Sequence, residues 1–183
     1  LQTVTRKSKV LNMFPKMLRE MEGVLPKIDK YRSNRGKSLK PVGKQKLKVA
    51  FFTGCLMETI FSKTNDVTIK LLQKLGCEIW VPENQVCCGA LQGHSGELER
   101  AKINAKRNIE QFLEADVDYI VNNAGGCGAF LSEYENLLKG DSEYSELSKR
   151  FSEKIIDISS LLYKLGMTNL SLSYKEGTEL IVT

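Results

Sequence analysis

The sequence is poor in several things that would have declared a function at once. No stretch approaches the ~20 consecutive apolar residues that cross a bilayer. No charged-then-apolar leader with a small-residue cleavage pattern is apparent at the amino end, so neither a membrane span nor a secretory signal is expected. A soluble, cytoplasmic protein follows from that reading. His94 is the single histidine. No Ser-His-Asp or paired-carboxylate arrangement has supporting context, and no substrate pocket is expected of this chain. His94 lies just before a helix, where packing, capping and a place near a metal site are all open to it.

Acidic charge is missing from one stretch. Between Lys30 and Lys48 there are eight basic residues and no acidic one: Lys30, Arg32, Arg35, Lys37, Lys40, Lys44, Lys46 and Lys48. Taking these eight from the net charge of +5 leaves −3 for the rest, so the body of the protein is mildly acidic. With Gly36, Pro41, Gly43 and few apolar residues, 30–47 has the composition of a solvated basic linker. An acidic partner subunit, or an anionic surface giving peripheral association at the inner membrane face, is the alternative use of the charge. Nucleic acid is not expected, since no recognition motif accompanies the segment.

What is present is material for one domain with a proper core: 183 residues, 42% of them apolar. Ahead of the basic segment, Val10, Phe14, Met17, Leu18, Met21 and Leu25 recur at helical spacing, predicting an amphipathic helical extension in 1–29, starting near Pro15 and ending before Pro26. From Lys48 strands and helices alternate. Val49–Phe52 reads as a buried strand running into Gly54-Cys55, followed by a helix with Val67, Leu71, Leu72 and Leu75 on one face. Cys77–Val81 reads as the next strand, closed by Pro82. A helix from about Ser95 to Leu113 carries Leu98, Ala101, Ala105, Ile109, Phe112 and Leu113, with Glu97 and Glu99 in its first turn.

Tyr119–Val121 makes a third strand, and the helix after it shows Phe130, Leu131, Tyr134, Leu137 and Leu138. Helices near 143–151 and 159–165 flank Ile155, Ile156 and Ile158, a candidate fourth strand. The pattern predicts an α/β fold of three layers, a Rossmann-like, mostly parallel sheet with flanking helices, over 48–166. Beyond Gly166 the alternation of Leu170, Leu172 and Tyr174 and the apolar end Leu180–Val182 read as the start of a second domain, 167–183, cut short. The opening at Leu1 likewise suggests a piece of a longer chain.

Five cysteines are an odd number, and clustered thiols in a cytosolic chain are more often metal ligands or catalytic groups than a disulfide framework. Four stand in glycine-bearing stations: Thr53-Gly54-Cys55, Cys87-Cys88-Gly89, and Gly125-Gly126-Cys127-Gly128. Each station follows a predicted strand, so all three fall at the carboxyl edge of the sheet, where ligands of such sheets collect. Cys55, Cys87, Cys88 and Cys127 are thus candidate metal ligands. Gly54, Gly89, Gly126 and Gly128 would let the backbone approach the cofactor. Helix amino ends there would lower the thiol pKa values towards the thiolate. Cys77, opening a strand without glycine neighbours, reads as a core residue. A dinucleotide loop is a weak match for the glycines of the third station, and a Cys87–Cys88 disulfide would be strained.

The order of one cysteine, a Cys-Cys-Gly and a further cysteine, separated by thirty to forty residues, resembles the cysteine-rich CCG domain family, which is also found in heterodisulfide reductases. The phrases FFTGC, CCGALQGHSG and NNAGGCGAF are similar to the first such domain of glycolate oxidase iron-sulfur subunits, with lactate-utilisation iron-sulfur proteins close behind. The resemblance covers about 48–165. It implies an iron-sulfur cluster of the four-iron type on Cys55, Cys87, Cys88 and Cys127, a flavin-containing partner subunit, and electron flow from a 2-hydroxy acid towards quinone. It also implies a ferredoxin-like module and a second CCG domain elsewhere in the full-length protein. The fullest form of the motif ends Cys-x-x-Cys, whereas Phe130 stands three residues after Cys127. That disfavours a five-cysteine cluster and leaves zinc, in a metal-stapled docking scaffold, as the alternative.

Overall fold

The computed structural model describes residue 13 and residues 15–24 and 34–167 of the chain. The expected beginning of a second domain at 167–183 lies, apart from Met167, outside the described residues, as do Val10, Phe14 and Leu25 of the first helix. Helix α1, Lys16–Val24, forms where the apolar spacing predicts it, and Met17, Leu18 and Met21 of its stripe are exposed.

Among the described residues five strands make one sheet: β1 (Lys37–Leu39), β2 (Leu47–Phe51), β3 (Cys77–Val81), β4 (Tyr119–Asn122) and β5 (Ile155–Asp157), in the order β1-β3-β2-β4-β5. β2 is central and parallel to both β3 and β4, with Val49 opposite Ile79 on one side and Tyr119 on the other. β5 continues the parallel set beside β4, with Val121 opposite Ile156. The chain therefore steps from β2 to one side, then returns to the other. This reversal makes a topological switch point between β2 and β4, where open parallel sheets leave a crevice.

The helices cover both faces. α2 (Cys55–Thr59) and α3 (Ser62–Lys74) follow β2, α4 (Ala90–His94) and α5 (Leu98–Leu113) follow β3, and α6 (Gly125–Ser132), α7 (Tyr134–Leu137) and α8 (Ser145–Lys154) follow β4. α9 (Ile158–Lys164) follows β5 and is capped by Asp157, whose carboxylate accepts from the Ser159 N–H at 2.8 Å. Alternate strand residues divide between two cores. Ala50, Phe52 and Ile120 join Ile109, Phe112, Tyr134 and Phe151 on one face; Val49, Phe51, Ile79 and Val121 join Ile69, Leu72 and Leu161 on the other. Two apolar layers enclosing the strands are why β2 reads as a continuous apolar run.

Several expectations need correction. The segment 30–47 is not simply a solvated linker. Within its described part β1 pairs antiparallel with β3, Lys37 opposite Val81 and Leu39 opposite Ile79, and this short edge strand leaves Lys37 and Ser38 exposed. Val67 is 58% exposed rather than inward, and α3 instead buries Asn65, Ile69 and Leu72, a stripe offset from the predicted one. The helix expected from about Ser95 begins three residues later, at Leu98, after Gly96 at positive φ, and a short helix, Ala90–His94, precedes it. Leu98 is 50% exposed.

Phe112 is fully buried, its ring 5.7 Å from Phe52 and edge-on to Trp80 and Phe151. Phe112→Ala is expected to lower the unfolding free energy by about 3–5 kcal/mol. Val67→Ala should change it by less than about 0.5 kcal/mol. Chemical denaturation of both variants checks that Phe112 belongs to the core and that Val67 does not.

Candidate metal centre

The first station is set by what lies on either side of it. Thr53, two residues beyond β2, is 3% exposed, and its N–H donates to the Gln85 side-chain oxygen at 2.8 Å while its carbonyl accepts from Asn65 at 2.9 Å. Gly54 follows with φ +67°, a conformation that side-chain-bearing residues rarely adopt, and turns the chain so that Cys55 begins α2. Cys55 is exposed.

The second station is held from beneath. Asn108, buried in the middle of α5, accepts the Val86 N–H at 2.9 Å and donates to the Cys87 carbonyl at 3.3 Å and to the Tyr134 hydroxyl at 3.1 Å. That hydroxyl donates to the Cys88 carbonyl at 2.7 Å. Both backbone carbonyls of the vicinal pair are thereby fixed by side chains with no solvent contact. Gly89, at φ +89°, then starts α4; a Cβ there would lie 3.3 Å from the Ala101 backbone.

Cys127 is third in α6 rather than in a loop before it. The Ala124 N–H donates to the buried Asn122 side-chain oxygen at 3.1 Å, and a Cβ on Gly128 would come within 2.8 Å of the same Asn122 amide. Gly128 is thus required by close packing, whereas a Cβ on Gly126 would meet open space. Phe130, where the fullest motif would carry another cysteine, is 8% exposed. Its ring is edge-on to Tyr134 and to His94, and it closes against Gly93, whose added Cβ would sit 2.5 Å from it. His94 therefore packs on the helix that carries Cys127.

These elements gather the four predicted cysteines. Cys55 Sγ lies 3.8 Å from Cys87 Sγ, and the Cys88 thiol donates a hydrogen bond to the Cys127 sulfur. Cys77, at the opposite end of β3, stays in the core with no exposure. The expected lowering of thiol pKa holds for Cys127 and fails for Cys55 and Cys88. Cys127 is lowered, by the hydrogen bond from Cys88. Cys88 is raised by giving that hydrogen bond and by burial, and Cys55 is raised by burial and by its neighbour Cys87. Mutual repulsion and desolvation outweigh the N–H groups of Leu56 and Ala90, which pull the other way.

The donor set is all sulfur. No group of three or more His, Cys, Asp or Glu among the described residues is arranged to hold a metal ion. The two close pairs are themselves linked, since Cys88 also shares a hydrogen bond with Cys87, and such an all-sulfur set is the donor chemistry of iron-sulfur clusters and of structural zinc alike. Sequence reasoning missed the supports: Gln85, Asn108, Asn122 and the hydroxyl of Tyr134. A polar Asn108 within the stripe Ala101, Ala105, Ile109 and Phe112 was the one visible sign.

Three thiol-bearing turns, delivered to one edge by parallel strands and held by buried amides, define a cysteine-rich ligand domain. Residues 49–132 match the family described as CCG, cysteine-rich domain. The chain is 50% identical, over 94% of its length, to the probable glycolate oxidase iron-sulfur subunit of Bacillus subtilis, of which it covers 39%. It is 38% identical over 63% of its length to lactate utilization protein A of Geobacillus thermodenitrificans, covering 48% of that protein. For lactate utilization protein A of Bacillus cytotoxicus the figures are 33%, 70% and 54%. The chain thus spans about half or less of the curated relatives it matches. No solved structure matches it significantly.

Burial pushes the Cys77 thiol up to about 11. In the folded, reduced protein at pH 8, Cys77 should therefore remain unmodified by iodoacetamide and react only in denaturant. Peptide mapping by mass spectrometry checks this.

Proposed function

We propose that the chain is part of an iron-sulfur electron-transfer subunit, with Cys55, Cys87, Cys88 and Cys127 holding one cluster of the four-iron type. The observation that carries this is the convergence of four thiols, from three separate turns, at the β2/β4 switch point. The relatives' names support it: an iron-sulfur subunit of a glycolate oxidase, and proteins of lactate utilization. Glycolate is the preferred substrate of the whole complex, because identity to the glycolate-type relative is higher and spans more of the chain. Oxidation of the 2-hydroxy acid belongs to a flavin-containing partner, and the electrons pass on towards quinone.

When bound, the cluster would supply one-electron transfer. The chain's own residues bind and shield it. Cys88, 3% exposed, and the Phe130 ring keep water from the inner side. Asn108 and Tyr134 hold the Cys87-Cys88 backbone so that both sulfurs face the same edge. Cys55, exposed and flanked by Leu56 at 60% exposure, offers the corner that a redox partner reaches. No helix among the described residues is long and apolar enough to cross a membrane. Any quinone contact would then be made through a partner subunit or peripherally.

Protein purified without oxygen should be brown, contain iron and acid-labile sulfide, and bleach with dithionite. Cys88→Ala should abolish the colour, and Cys77→Ala should keep it. Colourless wild-type protein with stoichiometric zinc would replace the redox role with that of a metal-stapled docking scaffold.

A further inference from the structure

Arg35 comes from the basic segment, far from any cysteine in sequence, yet its guanidinium lies between two of the thiol-bearing turns. Its Nε donates to both Glu58 carboxylate oxygens, at 2.9 and 2.8 Å. Glu58 is the fourth residue of α2, the helix that Cys55 begins, and the Thr53 hydroxyl lies 3.3 Å from the same carboxylate. The other arm of the guanidinium, Nη1, donates to the Gln85 carbonyl at 2.7 Å and to the Glu83 carbonyl at 3.4 Å, in the turn leading to Cys87. Gln85 answers from inside: its side-chain oxygen takes the Thr53 N–H, and its side-chain nitrogen donates to the Pro82 carbonyl at 3.1 Å.

The ion pair is largely sheltered, with side-chain exposures of 29% for Arg35 and 9% for Glu58. A planar guanidinium that binds a carboxylate with one edge and carbonyls with the other fixes both partners in distance and orientation, which an ammonium does less well. The strap itself is anchored on either side of Arg35. Asn34 donates to Asp66 at 2.6 Å, and the Gly36 N–H donates to the Val81 carbonyl at 2.8 Å, leading into β1.

We propose that Arg35 is a positioning residue of the metal centre, clamping the Cys55 turn to the Cys87-Cys88 turn so that the spacing between their sulfurs is set before the cluster binds. The inference rests on the cluster reading given above. It also assigns the basic segment a role, as a strap over the centre.

The test uses the full chain, purified anaerobically as wild type, Arg35→Met, Arg35→Lys, Glu58→Gln and, as a control that removes the same charge without touching either turn, Lys40→Met. Circular dichroism of the metal-free proteins checks folding. The readouts are the rate of iron loss to a chelator and the midpoint potential of the centre. Arg35→Met and Glu58→Gln are expected to release iron roughly tenfold or more faster than wild type, in the range found when groups supporting metal ligands are removed. Their midpoint potentials should shift, Arg35→Lys should fall between, and Lys40→Met should match wild type. If Arg35→Met does not fold without metal, Glu58→Gln, which keeps the shape of the side chain, decides. Iron release within twofold of wild type, with an unshifted potential, overturns the clamp while leaving the cluster in place. Wild-type protein without iron and sulfide overturns the cluster reading and the clamp together.

Discussion

The thiol-bearing edge exists because β2 pairs in parallel with both β3 and β4. The three strands run the same way and are adjacent, so their carboxyl ends open at one edge, and residues separated by tens of positions become neighbours. Two apolar layers hold this arrangement, with Val49 and Phe51 facing one and Ala50 and Phe52 the other. A slip of one residue in β2 would exchange the two sets and carry Gly54-Cys55 away from the turn after β3.

On that frame the centre is finished by polar groups in places where an unpaired polar group would be costly. Gln85, Asn108 and Asn122 are each at most 2% exposed and each bonds the backbone of a thiol-bearing turn. Their side-chain amides donate and accept at once, so one residue can pin an N–H and a carbonyl in the same turn. The four thiols are left crowded and partly desolvated, which raises Cys55 and Cys88. That cost would be offset if the sulfurs ligated a positively charged centre, since a coordinating thiol loses its proton to solvent and binds as the thiolate. Metal binding at this edge would therefore be coupled to proton release.

Phe130 shows how a chain can depart from the fuller motif without a gap. Its ring occupies the position of the missing cysteine, packs edge-on against Tyr134 and His94, and presses on Gly93, so that the inner side of the centre is closed by apolar contact. The solitary histidine is absorbed in the same packing.

Read along the chain alone, the residues already declare the alternation of strands and helices, the central position of the apolar run at Val49–Phe52, the three glycine-bearing stations and the separate fate of Cys77. Those features depend on local periodicity and on neighbours within a few residues, and they survive translation into three dimensions. Folding settled the rest: which flank of α3 is buried, why Gly128 is needed beside Asn122, how the sulfurs pair, and that Arg35, from a stretch with the composition of a linker, spans two turns. Each of those depends on a neighbour from another element, as Asn122 is to Gly128 and Glu58 is to Arg35. Such contacts exist only after the sheet has formed, because a hydrogen bond or a desolvated charge is defined by what folding brings beside it and not by the residues on either side in the chain.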